Sequence, residues 1–375
     1  MRMSCARNAA VVVVLTAGGF ALGASSPAVA VPGGGREARA AGAAAAGPTV
    51  SLPVPGNLDG VAARSAGNAW AVGQTSSDSA DSDRPILAHW NGRIWRTVSS
   101  PALPARGGLN AVAAFPGGGW AVGQSGVRVH GGVPRNLIVR LAGTTARRMP
   151  IRGPADGELF GVAATSAANA WAVGGGDSPL ILHWNGTVWM QAPLPSSLRV
   201  GVFRGVAATS RANAWAVMGP AGIGRPRIVH WNGRRWGQVV SPDIGQRYEL
   251  VSVAATSAAN AWAVGFTGTE RAVILHWDGR RWKRVPSPNP DDVLFAVAAS
   301  SADNAWAVGV TFAGGTLALH WNGHSWKQVK TPDAGLHSSL DGLCFIPPSR
   351  QAWAVGDSAP PVATLILHWN GTAWH

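Results

Sequence analysis

The sequence predicts an all-β fold, a seven-bladed β-propeller of four-stranded antiparallel blades with the ring closed by the N-terminal strand. Three observations predict it. A segment of the form NAWAVG recurs with its indole at Trp70, Trp120, Trp171, Trp215, Trp262, Trp306 and Trp353, at steps of 44 to 51 residues, the period of propeller blades and other repeat arrays. Each copy leads through a variable loop to a second aromatic segment with Asn-Gly or Asp-Gly between apolar residues in six of the seven units, as at Asp278-Gly279, a hairpin signal. The chain also stops at Trp374-His375, part-way through its last unit, while Pro48 to Pro53 align with Arg96 to Pro101. The two ends together make one complete unit.

Within a unit, VAATS reads as strand A, closed by an Ala/Asn turn such as Ala258 to Asn260. In NAWAVG, Trp262 and Val264 alternate with Ala261 and Ala263 at the period of two that defines a half-buried strand, B. Val273 to Trp277 form strand C, and strand D follows through Trp282 and Val285 until Pro288 stops it. A Gly after each AV pair and the paired apolar residues around Asn-Gly argue against a helical solenoid, despite the many Ala residues. A two-residue type I′ turn is expected at each Asn-Gly, which would set Trp231 opposite Arg234 and Val229 opposite Trp236. Blade two departs, with Leu141, Ala142-Gly143 and Ala146 at these places, so its hairpin is expected to be the least regular. Trp knobs of each blade should nest against the Ala surface of the next. All 19 Trp residues belong to this scheme, so they read as core rather than as sugar-stacking platforms.

Residues 1–30 read as a secretory signal, with Arg2 and Arg7 near an apolar run from Ala9 to Leu22 and an A-x-A site at Ala28 to Ala30. Residues 31–48 read as a flexible Gly/Ala-rich leader and 49–375 as the propeller. The expectation is a secreted, extracellular or cell-wall-associated monomer with no membrane insertion, because no later stretch is long and apolar enough to span. Of two Cys residues, Cys5 leaves with the signal, and Cys344 in strand A of blade seven reads as a small buried side chain rather than a nucleophile.

The formal net charge is +13. Arg93, Arg234, Arg235, Arg280, Arg281 and Arg284 cluster at the C to D hairpins, where they are expected to stack on neighbouring Trp rings with their charges in water. Such a rim also suits an anionic cell-wall polymer. Scattered turns are not the single basic strip of a nucleic-acid binder. The repeated His before Trp (His89, His183, His230, His276, His320 and His368) lies around a circumference and cannot converge on one metal. These residues are expected to hydrogen-bond between blades, and the Asn before Ala-Trp to take left-handed φ in a turn. Asp78, Asp81 and Asp83 lack the spacing and Gly of a calcium loop. No metal and no cofactor is expected.

Function is sought where the repeats differ. The B to C and D to A connections vary and share one end of the ring, the expected binding face. At the mouth of the central channel, aligned positions hold Asp59, Asn110, Phe160, Arg204, Val251, Phe295 and Asp341, and nearby loops add Glu158, Tyr248, Glu249, Asp292 and His337. This mixture suits one polar ligand, an extracellular or cell-surface glycan or protein. The alternative is a polysaccharide hydrolase or lyase using Asp59, Asp341 and Arg204, since glycoside hydrolysis needs paired carboxylates.

The alternation of AVG, aromatic strand, turn, Trp and Pro-terminated strand resembles kelch-type repeats, with a double glycine at Gly174-Gly175. The segment His183 to Trp189, HWNGTVW, is similar to the Asp-box of sialidase-like propellers. Kelch resemblance implies protein binding or, in the galactose oxidase group, copper held by tyrosines. One Tyr in the chain removes the copper reading.

Overall fold

A computed structural model of the chain describes residues 52–76, 83–126, 132–219, 225–245, 247–359 and 362–375. The expected signal, the leader and Asp78 and Asp81 lie outside them. Among the described residues there is no helix, and seven sheets, each built on an antiparallel meander, follow one another in chain order. In blade five, strand A is Tyr248–Ser257, B Asn260–Thr267, C Ala272–Trp277 and D Trp282–Val285, hydrogen-bonded in that order. Strand A of each blade packs against strand A of the next, and strand A of blade one, Gly56–Ser65, packs against that of blade seven, Ser339–Phe345. The ring is closed: this is a seven-bladed β-propeller.

The apolar core is distributed over the seams between blades. Trp262 is fully buried and meets Trp321 (4.9 Å between ring centroids) and Trp326 (5.1 Å, 85° between planes) of blade six. Ala305 and Ala307 floor the same cluster. Ala261 pairs with Trp277 across strands B and C, so the hairpin indoles lie on the Ala face of their sheet. That face is therefore not small throughout; it is an alanine floor with an indole pair at one side that receives the neighbour's Trp. Edge-to-face geometry of this kind adds about 0.5–1.5 kcal/mol per ring pair beyond buried area. The contact recurs at six of the seven seams, including the closing one, where Trp353 meets Trp90 (5.2 Å) and Trp95 (5.4 Å). At the seam of blades one and two, Trp70 faces Leu141 and Ala146 instead.

The outer strand of blade seven is assembled from both ends of the chain. Trp374 pairs with Trp369, and His375 exchanges backbone hydrogen bonds with His368 (2.8 and 3.0 Å). Leu52, buried among side chains of blades one and seven, donates its N–H to Thr364 Oγ1 (2.8 Å). The same place is bridged by Thr331 to Thr316 (2.8 Å) in blade six and by Ser241 to the Pro226 carbonyl (2.8 Å) in blade four. Leu52 thus occupies the end of strand D; residues 49–51 of the expected strand lie outside the described residues. One outer strand has no counterpart in the repeat: Ile151–Arg152 runs parallel to Trp189–Gln191 and covers the edge of blade three.

Two local expectations are corrected. The Asn-Gly hairpins are four-residue loops, with Trp231 opposite Trp236 and Val229 opposite Gln238. Asn232 Oδ1 accepts the N–H groups of Arg234 and Arg235 (3.1 and 3.0 Å), an Asx-type turn in which the side chain does the work of backbone. Among the C to D hairpins the tight two-residue turn occurs where Asn is missing, in blade two, where Ala142 pairs with Thr145 around Gly143 and Thr144. In the five blades that have both, the repeated His and Asn act within a blade, not between blades. His183 stacks on Trp171 at 4.1 Å and donates Nε2–H to Asn169 Oδ1 (2.9 Å), while Asn169 Nδ2 donates to Thr165 Oγ1 (2.8 Å). That Asn lies in a strand, and the only non-glycine residues at positive φ among those described are Glu270 and His337. Burial lowers the pKa of His183, His230, His276 and His320, which keeps them neutral in these bridges.

Candidate functional site: the channel mouth

In every blade the pairing of strands A and B skips one residue near the start of A, and in blades one, three, four, five and six it skips a second near the end of A. Those near the start face the mouth: Asp59, Asn110, Phe160, Arg204, Val251, Phe295 and Asp341. A bulge leaves its extra residue unpaired and re-aims the side chain, here toward the ring axis. These seven side chains line one cavity of about 80 Å³. The positions aligned in the sequence therefore meet in space, inside strand A rather than just before it. The AVG glycine makes room for the bulge: a Cβ on Gly265 would lie 2.0 Å from the carbonyl oxygen of Glu249.

The mouth is electrically lopsided. Asp59 and Asp341, from blades one and seven, flank the closure. Asn57 Nδ2 donates to Asp59 Oδ1 (2.8 Å), while Asp59 Oδ2 is buried with no hydrogen-bond partner. Ser339 Oγ lies 2.8 Å from Asp341 Oδ2 and 3.0 Å from Asp357 Oδ1. One hydroxyl proton cannot serve two carboxylates, so the second contact needs a protonated carboxyl. Burial, then the charges of Asp341, Asp357 and Glu158, raise the Asp59 carboxyl well above the usual range. Burial and then Asp357 push Asp341 up to about 8. Blade four stands opposite, where the Arg204 guanidinium lies 4.7 Å above the Phe160 ring. Arg204 is carried by blade four and the two Asp residues by blades one and seven, so the suggested catalytic trio is divided between two walls.

A carboxyl whose folded-state pKa is raised stabilises the fold below its unfolded pKa, and that contribution is lost as pH rises through the folded value. Asp341→Asn is therefore expected to gain stability over the parent progressively between pH 4 and about 8, by at least about 1 kcal/mol at the upper end. Urea unfolding of both proteins at pH 5 and pH 8 checks this, and a difference that does not grow with pH would refute the buried-acid assignment.

The remaining predicted residues fare differently. Glu158, at the start of strand A in blade three, accepts from Asn110 Nδ2 (3.0 Å), which also donates to the Leu159 carbonyl (2.8 Å). Glu249 lies two residues before Val251, at the same level of blade five, and pairs with Phe266. Tyr248 is no part of the face: it is 1% exposed in the seam core, its hydroxyl donating to the Pro242 carbonyl (2.8 Å). Asp292 braces a loop by accepting from the N–H of Phe312 (3.0 Å). His337 is exposed on the loop before blade seven at φ 62°. Sequence reasoning missed Asp357 and Ser339, whose role only the A to B register reveals. Burial pushes the Cys344 thiol up to about 12, so it stays protonated at neutral pH. Among the described residues, guanidinium–ring contacts occur at Arg140 (over Phe115 and Trp120) and Arg204. The expected stacking of the rim arginines is absent, and their side chains are exposed.

No protein-family model and no curated protein sequence matches the chain. Solved structures do. YCF48 bound to D1 peptide superposes with a TM-score of 0.59 at 15% identity, over 85% of this chain and 95% of that one. A GH74 xyloglucanase from Xanthomonas campestris gives 0.58 at 13%, over 86% of this chain and 53% of the other. The BP39L lectin from Burkholderia pseudomallei gives 0.56 at 13%, over 86% and 98%. The likeness is one of fold alone. A peptide-bound protein, a glycan-cleaving enzyme and a lectin share this ring, so function must be argued from the mouth and its loops.

Proposed function

We propose that the chain is a secreted, monomeric, non-catalytic binding module that engages an extracellular or cell-surface glycan or protein through its variable-loop face. The observation that carries this reading is the contrast between repetition and variation. The indole contact that joins blade to blade repeats at six of the seven seams, whereas the seven bulge positions hold an unlike set of acidic, amide, aromatic, cationic and aliphatic side chains. The same end exposes apolar side chains on its loops, Phe312 at 81% and Leu336 at 67%. These two loops touch: Ser338 N–H donates to the Gly314 carbonyl (3.0 Å). Exposed apolar side chains beside a polar mouth have the make-up of a recognition surface. The AVG strand with its bulge glycine supports a kelch-like reading of the repeat, and the exposed rim arginines support a second contact with an anionic wall polymer. Both belong to the same proposal.

Polysaccharide cleavage at Asp59 and Asp341 is less well supported, because a cavity of about 80 Å³ is far below the roughly 300 Å³ of a typical ligand cleft. The purified protein incubated with cell-wall, glycan and extracellular-protein fractions at low and high salt is expected to be retained on one of them without releasing product. Phe312→Ala should weaken retention at both salt levels, and Arg280→Ala with Arg281→Ala only at low salt. Soluble product that disappears with Asp59→Asn would replace this reading by the enzymatic one.

A further inference from the structure

Two ionisable groups at the channel mouth have unused hydrogen-bonding or pairing capacity, and they stand on opposite walls. Asp59 Oδ2 is buried without a hydrogen bond, although it lines the cavity. Arg204 is in none of the ion pairs among the described residues, and its guanidinium rests on the face of Phe160. Between them lie about 80 Å³ of space walled by Phe160, Val251 and Phe295. We propose that this cavity binds a small zwitterion of amino-acid size, with its primary ammonium on Asp59 and Asp341 and its carboxylate on Arg204.

The chemistry of the walls selects that class. A buried carboxyl oxygen without a hydrogen-bond partner is a costly feature, and once the carboxyl gives up its proton that oxygen accepts a ligand N–H. A guanidinium offers a planar pair of N–H groups that suits a carboxylate. A simple cation would satisfy the acidic wall but face Arg204, and a simple anion would satisfy Arg204 but face two carboxyls. A molecule carrying both charges satisfies both. At roughly 10–15 Å³ of such space per water, the cavity of about 80 Å³ has room for about half a dozen waters, which suits a ligand of a handful of heavy atoms. The apolar walls then accept its short methylene chain. The site lies inside the ring beneath the loops, so it stands whether or not the loop face engages a macromolecule.

Binding an ammonium draws on the ionised carboxyls. The groups that act on Asp59 are Asp341, Asp357, Glu158 and Asn57, and those on Asp341 are Asp357 and Ser339; Asn110, Phe160, Arg204, Val251 and Phe295 complete the lining. Since the carboxyls hold protons when empty, ligand uptake should release protons, and affinity should rise with pH toward about 8.

The test is calorimetric titration of the full chain at pH 8 with glycine, alanine, β-alanine and γ-aminobutyrate, and with methylamine and acetate as half-ligands. One of the four zwitterions is expected to bind at least tenfold more tightly than either half-ligand, with proton release seen as heats that depend on buffer ionisation enthalpy. Arg204→Gln and Asp59→Asn should each weaken it at least tenfold while retaining cooperative thermal unfolding. If Arg204→Gln fails to fold, Asp59→Asn and Asp341→Asn decide by the same criterion. Absence of binding throughout the series, a half-ligand that binds as tightly, or binding that survives the substitutions would each overturn the proposal.

Discussion

Gly265→Ala is expected to destabilise the protein by roughly 3 kcal/mol, whereas Gly237→Ala leaves it unchanged or slightly more stable. The added methyl at residue 265 would sit 2.0 Å from the Glu249 carbonyl oxygen, 2.8 Å from its carbonyl carbon and 3.0 Å from Leu250 Cα. All three atoms are backbone, so no rotamer change relieves the clash. At Gly237, on strand D of blade four, a Cβ meets nothing within 4 Å, and φ is not in the left-handed region. There the substitution mainly restricts the unfolded chain.

Blade four already shows how the sheet yields. Its strand B carries Met218 where the other blades have this Gly, and its A to B ladder stops at Phe203–Met218. In blade five the ladder continues through Glu249–Phe266 to Tyr248–Thr267. An alanine at 265 should shed those two pairs and loosen Tyr248, a core residue. Urea unfolding of the two variants measures the difference; equal midpoints would mean that the bulge tolerates a side chain and that this Gly does not shape the mouth.

The parts of the structure that were legible in the sequence are those that repeat. Trp262 and Val264 opposite Ala261 and Ala263 announce a strand with two unlike faces, and seven such strands announce a ring. Trp374-His375 and Pro48 to Pro53 disclose the shared outer strand because each is half of a repeated motif. Side-chain substitution for backbone was harder to read. Asn-Gly suggests a two-residue turn by its φ preference, but the Asn232 amide caps two N–H groups and so holds a four-residue loop. Likewise Asn169 suggests a turn, although its amide links strand A to the His on strand C. At the mouth, aligning the repeats was enough to find all seven lining positions. Their burial was hidden, because a bulge leaves no alternation to read. The one available sign was the Gly that closes each AVG run, which a regular strand does not need. Tyr248 was misplaced for a related reason: beside a bulge, the direction of a side chain no longer follows from counting by twos.

Trp262→Ala is expected to cost about 3–5 kcal/mol, and at least about 1 kcal/mol more than Trp70→Ala. Both indoles are buried in a seam, Trp262 fully and Trp70 at 2% exposure, and both lie against the His of their own blade, at 4.2 and 4.3 Å. Their difference lies across the seam. Trp262 meets two indoles of blade six, one of them nearly perpendicular, whereas Trp70 meets Leu141 and Ala146 of blade two. The Nε1–H groups of Trp262 and Trp326 are buried without a hydrogen-bond partner. Removing either indole takes away buried area and the contact with its own His; removing Trp262 also takes away two indole contacts across the seam. Equilibrium unfolding of the single variants, with a Trp262/Trp326 double-mutant cycle, separates the two contributions. A coupling near zero would show that area alone joins the blades. A coupling of about 1 kcal/mol would instead make the seam of blades one and two, which lacks an indole pair, the place where this ring first opens.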